Sequence, residues 1–309
     1  MSSYKYRFTI FTPCYNSEKF IHRVYDSLEA QSFRDFEWLV INDASTDGTS
    51  DILHEYRKKA SFPVRLIELQ QNQMLMKNFN LAVQEAQGEF FLTAGHDDAF
   101  ESDALYIFNG IWNSYNLERQ SSLSGVICNC KDQYGKLIGT EFPSSPLVTN
   151  IFHMRLELKV KGEKWGFTRT SIMREFPFNT LIDQYVPEFT VWNAIGSKYD
   201  TVHINDALRI YYRNEDEHVS LSNSRTLRFI NGYRFGELEI LNRYVDHYYK
   251  APKELFFSML NYIRLSLHCS KSFTQIIGEV HRSIVKVFII LLFPLGMAKA
   301  QLDKLQGRI

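Results

Sequence analysis

Cysteine is scarce in this sequence, and charge of either sign has no excess. Four cysteines in 309 residues, Cys14, Cys128, Cys130 and Cys269, are too few for a disulfide scaffold. The one close pair reads C-N-C, which is not the spacing of a zinc knuckle, so reduced thiols are expected. Thirty-five basic and thirty-five acidic side chains leave a formal net charge of zero. No overall field then draws the chain to a polyanion, which argues against a nucleic-acid partner. The opening "MSSYKYRFTIF" has no basic segment followed by an apolar stretch, so a cytoplasmic protein is expected. Internal repeats and low-complexity tracts are also missing. The apolar run "VFIILLFPLGMA", residues 287–298, falls short of the roughly 20 residues that cross a bilayer.

Hydrophobic residues make up 45% of the chain, enough for a sizeable core without metal or disulfide support. Short β-branched or aromatic runs alternate with segments of helical spacing. "RFTIFTP", "FEWLVIND", "VRLIEL" and "EFFLTAG" read as strands. Between them, "SEKFIHRVYDSLEAQ" reads as a helix capped by Ser17, "TDGTSDILHEYRKKA" as a second helix, and "MLMKNFNLAVQEAQG" as a third closed by Gly88. This alternation predicts an α/β fold with a mostly parallel sheet covered on both faces. Beyond Ser121 the rhythm changes. "LSGVICNCKDQYGKLIG" predicts two strands around Tyr134-Gly135, "TVHINDALRIYY" a later strand, and the chain after Ser222 helix interrupted near Pro252. The expected division is an α/β domain over residues 1–222, with halves 1–120 and 121–222, and a helical extension over 223–309.

Open α/β sheets bind ligands beyond the carboxyl ends of their strands. Thr12, Pro13, Cys14, Tyr15 and Asn16 follow the first strand, Asn42, Asp43, Ala44 and Ser45 the second, and Gly95, His96, Asp97 and Asp98 the fourth. Adjacent carboxylates repel, and a divalent cation relieves them most simply. Oxygen ligands suit Mg²⁺ or Mn²⁺, which complete their shells with water and phosphate oxygens. The bland alternative is that Asp98 caps a helix beginning near Ser102 while Asp97 sits in solvent.

The stretches "FTIFTPCYNSEKFIHRVYDSLEAQSFRDFEWLVINDASTDGTSDIL" and "NQMLMKNFNLAVQEAQGEFFLTAGHDD" resemble the family 2 glycosyltransferases, closely over the first third of the chain and more loosely to about residue 220. The resemblance implies a GT-A fold and a nucleotide-sugar donor, commonly a UDP-sugar, with Mn²⁺ or Mg²⁺ as cofactor. It implies that Thr12, Pro13 and Tyr15 lie under the nucleotide and that Asp43 accepts a hydrogen bond from the base. Asp97 matches the last acid of the D-x-D metal motif, with Gly95 and His96 in its first two places. Four positions depart from the family pattern. Gly95 and Asn42 replace acids, Met74 replaces glycine, and Lys77 replaces arginine while keeping a charge near the donor. Asp47 reads better as a helix cap than as a ligand.

Family position also points to Glu188, in "VPEFTVW", as the general base, with Asp183 as fallback and His218 as an added metal ligand; Trp165 lines the acceptor pocket or fills core. The expectation is an inverting transferase of surface polysaccharide biosynthesis, acting on a saccharide or lipid-linked acceptor. The apolar tail at 282–304, with basic residues at both ends, would add peripheral contact with the inner face of the cytoplasmic membrane. A non-catalytic nucleotide-sugar or glycan-binding relative is the alternative that Gly95 motivates. A nucleotidyltransferase would want a glycine-rich basic loop, which "TPCYNSEKF" does not supply.

Overall fold

A computed structural model describes residues 4–182, 184–213 and 229–307. By chain contacts it divides into two compact units. One holds the chain up to Ile151, Val160–Pro177 and the segment from Lys198; the other holds Phe152–Lys159, Phe178–Ser197 and the C-terminal helices. The units therefore do not meet at a single point in the sequence.

The first unit opens with β1 (Tyr6–Cys14), α1 (His22–Glu29), β2 (Phe36–Asn42), α2 (Thr49–Lys59), β3 (Val64–Glu68), α3 (Leu75–Glu85) and β4 (Gly88–Thr93). It continues through β5 (Ala99–Phe100), α4 (Ala104–Asn113), α5 (Leu117–Ser121), β6 (Leu123–Asp132), β7 (Leu147–Thr149), β8 (Lys164–Arg169) and α6 (Thr170–Glu175). After α7 (Phe189–Gly196), which belongs to the second unit, β9 (Asp200–Tyr211) closes the sheet. The strand order is β3-β2-β1-β4-β8-β6-β9-β5, with β7 also on β9. β1 to β4 pair in parallel, β8 runs antiparallel to β4 and β6, and β6 is parallel to β9. The expected α/β architecture is thus present, parallel in its first four strands and mixed beyond them.

Every residue of β2 is buried, as a near-continuous apolar strand covered on both faces should be. Its one charged residue is Glu37. The carboxylate accepts from Thr9 Oγ1 at 2.6 Å and from the Gln87 backbone amide at 2.8 Å, with Arg65 Nη1 at 3.3 Å. A buried charge persists only when its oxygens are met in this way, and here it ties β1, β2, β3 and the entry to β4 together.

Several local expectations shift. α1 starts at His22 because Asn16, at φ 51°, turns the chain, and the Ser17 hydroxyl accepts from the Tyr15 amide of that turn and caps no helix. Gly88 opens β4 and does not close α3. A Cβ there would meet the Thr9 nitrogen at 2.2 Å, so only glycine lets the two backbones approach. The turn at Gly135, φ 82°, is present, but its return is a single bridge between Lys131 and Leu137 and no second strand. Trp165 is core: its indole donates to the Thr93 carbonyl at 2.7 Å and its ring stacks on Phe100.

The second unit carries α7, α8 (Ile230–Glu239), α9 (Val245–Tyr248), α10 (Pro252–His268), α11 (Phe273–Gly278) and α12 (Ser283–Leu305). The apolar run that looked too short to span lies within α12, which has 23 residues. Pro294 inside it does not divide it.

Removing the Glu37 carboxylate strands its partners inside the sheet. Glu37→Ala is expected to cost about 3 kcal/mol in urea unfolding of the full chain. Glu55→Ala, on the surface of α2, should leave the midpoint where it is.

Candidate active site

Pairing brings the carboxyl ends of β1, β2 and β4 side by side. Cys14 lies opposite Asn42, the Asp43 amide donates to the Cys14 carbonyl at 2.8 Å, and the Ala94 amide donates to the Phe11 carbonyl at 2.8 Å. The loops after these strands therefore share one edge of the sheet. Asn42 shapes the second loop, its Oδ1 accepting from the Ser45 hydroxyl at 2.6 Å. Asn16 joins the first loop to the second, its Oδ1 accepting from the Thr46 amide at 2.8 Å.

Asp43 is 3% exposed, and its carboxylate accepts from the backbone amides of Gln73 at 2.7 Å and Met74 at 3.1 Å. It clamps the loop before α3 to the end of β2. Met74 is held at φ 70°, ψ 158°, a conformation costly for any side chain. This gives the departure from the family's glycine a physical meaning. Ala44, at φ 59°, is a further positive-φ position, besides Asn16 and Met74, that sequence reasoning missed. Alternation cannot show a positive φ, although the turn chemistry of "NDAS" offers a hint.

At the end of β4 the chain folds back on itself. The Asp98 amide donates to the Gly95 carbonyl at 3.1 Å, and the Gly95 amide donates to Asp98 Oδ2 at 3.1 Å. Asp98 is 1% exposed and pairs with Arg209 of β9 at 2.6 Å. It caps no helix. Burial pushes its carboxyl up to about 6 against the pull of the Arg209 guanidinium. Arg209 is in turn held protonated, its loss to burial outweighed by Asp98. Asp98 Oδ1 is buried with no hydrogen-bond partner. Asp97, half-buried, stands beside it.

A Cβ on Gly95 would lie 2.5 Å from Asp98 Oδ2 and 2.9 Å from Asp97 Oδ1. Both carboxylates thus lean over the Gly95 backbone and fill the space of the acid that the family pattern carries there. One face of α1, with Gln31 just past its end, secures this loop. Arg23 Nη1 donates to the Asp97 carbonyl at 3.2 Å, the Ser27 hydroxyl accepts from the Phe100 amide at 3.1 Å, and Gln31 Nε2 donates to the Glu101 carbonyl at 2.7 Å.

The other expected residues divide. Pro13 and His96 are half-buried, Tyr15 is 49% exposed, and Lys77 is exposed on α3. Thr12 is fully buried, and its hydroxyl accepts from the Trp38 indole at 2.9 Å in the core. Asp47 stands one residue before Gly48, the N-cap of α2, and its Oδ1 accepts from the Thr49 amide at 3.1 Å. Glu188 is exposed at the start of α7, in the second unit, and its charge adds to the burial that raises the Tyr233 hydroxyl. Asp183 and His218 lie outside the described residues. Among the described residues no three His, Cys, Asp or Glu side chains are grouped for an all-protein metal cage. A carboxylate at Asp97 next to an orphaned acid oxygen does fit a hard cation that draws its other ligands from phosphate and water.

A parallel strand set of this order, with loops converging at its carboxyl edge and helices at the C-terminus, is the GT-A architecture. Residues 9–113, a third of the chain, match the family model described as glycosyl transferase family 2. The poly(ribitol-phosphate) beta-N-acetylglucosaminyltransferase TarS of Staphylococcus aureus is 37% identical over 101 residues, covering 32% of this chain and 18% of TarS. The match thus spans less than a fifth of that relative. A GalNAc(5)-diNAcBac-PP-undecaprenol beta-1,3-glucosyltransferase of Campylobacter jejuni is 24% identical over 239 residues, covering 76% of this chain and 72% of the relative. The crystal structure of TarS 1-349 in complex with UDP superposes with a TM-score of 0.64 at 17% identity, over 97% of this chain and 92% of that one. The mannosyltransferase PcManGT of Pyrobaculum calidifontis, in complex with GDP-Man and Mn²⁺, gives 0.54 at 14% identity, over 99% and 89%.

Met74→Gly should release the strain at the head of α3. A rise of about 1 kcal/mol in unfolding free energy is expected, the relief exceeding the entropy glycine adds to the unfolded chain. An unchanged or lower urea midpoint would show that the conformation carries no strain.

Proposed function

We propose that this chain is an inverting glycosyltransferase, moving a sugar from a UDP-sugar to a hydroxyl of a saccharide or lipid-linked acceptor in surface polysaccharide biosynthesis at the cytoplasmic side of the membrane. The observation that carries this reading is the convergence of the three loops bearing Tyr15, Asp43 and Asp97 on one sheet edge. The relatives' names support it. TarS and the Campylobacter enzyme are named as beta-glycosyltransferases, the second with a lipid-linked acceptor. UDP-sugars of glucose and N-acetylglucosamine carry the sugar as the α-anomer, so a β product requires inversion.

In this reading the Tyr15 ring lies against the base and Asp43, already anchored through two backbone amides, accepts the uracil imide hydrogen. Pro13 and His96 border the nucleotide, and Lys77 meets phosphate as a point charge. Mn²⁺ or Mg²⁺, held by Asp97 and donor phosphate oxygens, would supply positive charge to the departing diphosphate. Arg209 keeps the charge of Asp98 compensated, so that Asp97 presents its carboxylate beside a neutralised neighbour. Glu188 takes the proton of the acceptor hydroxyl as its oxygen bonds to the anomeric carbon, and UDP leaves with the electrons of the broken bond. Asp183 is the substitute base, and His218 a further metal ligand.

Full-length chain should melt at a higher temperature with UDP and Mn²⁺ than with either alone, and Asp97→Asn should lose the Mn²⁺ dependence of that shift. Glu188→Gln should keep the shift and lower transfer by about 10²–10⁴. Full turnover by Glu188→Gln would remove that residue from the mechanism. UDP binding by the wild type with neither transfer nor hydrolysis of any UDP-sugar would favour a non-catalytic relative, the reading that Gly95 motivates.

A further inference from the structure

From Ile284 to Ala298, every exposed position of α12 is apolar. Val287, Phe288, Leu291 and Leu295 are each between 45% and 67% exposed, and their spacing puts them with Ile284 on one stripe. At 1.5 Å per residue the stripe runs roughly 20 Å. The opposite face is committed to the second unit. Val285, Ile289, Gly296, Ala300 and Asp303 are buried there, and a Cβ at Gly296 would meet Ile263 Cγ2 at 2.3 Å.

Charge is distributed to match. The one acid of α12, Asp303, is 2% exposed and held by Arg264 Nη2 at 2.7 Å and His268 Nε2 at 2.9 Å. The remaining charges of the helix, Lys286, Lys299 and Lys304, are all basic, and Arg282 precedes it. On a helical projection Lys286 and Lys304 lie beyond one border of the stripe, where long side chains can carry their ammonium groups out to a polar layer, while Lys299, along the other border, donates to Asn261 Oδ1 at 3.2 Å.

We infer that α12 is a membrane-docking surface that lies in the headgroup region of an anionic bilayer, sinking its apolar stripe among the acyl chains while Lys286 and Lys304 meet lipid phosphates. Its length and a mean hydropathy of 1.9 over 18 residues would also allow a span. Crossing would pull Asp303 from Arg264 and His268 and separate Gly296 from Ile263, whereas lying flat keeps both contacts.

Flotation of the full-length chain with vesicles tests this separately from catalysis. Recovery with phosphatidylcholine–phosphatidylglycerol vesicles should exceed recovery with phosphatidylcholine alone and fall as salt rises. The double variant Phe288→Glu/Leu291→Glu, at exposed positions that leave the packed face intact, should bind at least about tenfold more weakly with an unchanged thermal melt. Lys286→Glu/Lys304→Glu should lose the preference for anionic vesicles. Alkaline carbonate should strip the bound protein. Retention through carbonate would mean a span, and a wild-type dimer that the Phe288/Leu291 variant dissociates, without vesicle binding, would mean a second copy. Either result, or flotation unaffected by the variants, overturns the proposal.

Discussion

Two carboxylates next to each other on one turn have to be held close without forcing the turn apart. Here the Asp98–Arg209 pair meets that constraint, and much of the first unit is arranged around it. Arg209 reaches Asp98 because β5 and β9 pair with Phe100 opposite Arg209, so the last strand of the sheet supplies the counter-charge for the loop after the fourth. Taking both ions out of water is costly, and their short contact offsets that cost only because the neighbouring Gly95 amide adds a further donor to the carboxylate. Asp97 is left at the surface of this arrangement, where it can face a ligand.

The clamp at Asp43 works by the same logic with backbone donors in place of a guanidinium. Two amides from the loop before α3 converge on it, and the loop is tight enough to hold Met74 in a conformation that glycine would adopt freely. Strain kept beside a binding edge is tolerated when the surrounding contacts over-determine it. The two clamps together fix the outlines of the edge before any ligand arrives.

Much of this was legible in the sequence. Strands β1 to β4 carry period and composition strong enough to place them, and the rule that α/β sheets bind at their carboxyl ends gathers Tyr15, Asp43 and Asp97 from the sequence alone. What stayed hidden depends on partners distant in the chain. Glu37 looks like a polar interruption of an apolar strand until Thr9, Gln87 and Arg65 surround it. Arg209 sits far from Asp98 in sequence, and only strand pairing joins them. Thr12 reads as a ligand contact from its position at a strand end, yet the Trp38 indole claims its hydroxyl. The length of α12 was missed because the count stopped at its lysines, although a helix continues through lysine without penalty. The grouping of 152–159 and 178–197 with the C-terminal helices leaves no mark in composition.

The grip on the acidic loop uses Arg23 and Ser27 of α1 and Gln31 just past its end, four residues apart each time, so the helix acts as a ruler whose divisions are its turns. A single residue inserted between Arg23 and Ser27 would rotate the first turn by about 100° against the remainder of the helix and swing Arg23 off the loop. Exposed positions on α1 can therefore vary in chemistry but not in number. Among chains that share this loop, the distance from the end of the first strand to the glutamine just past α1 should vary less than the residues that fill it.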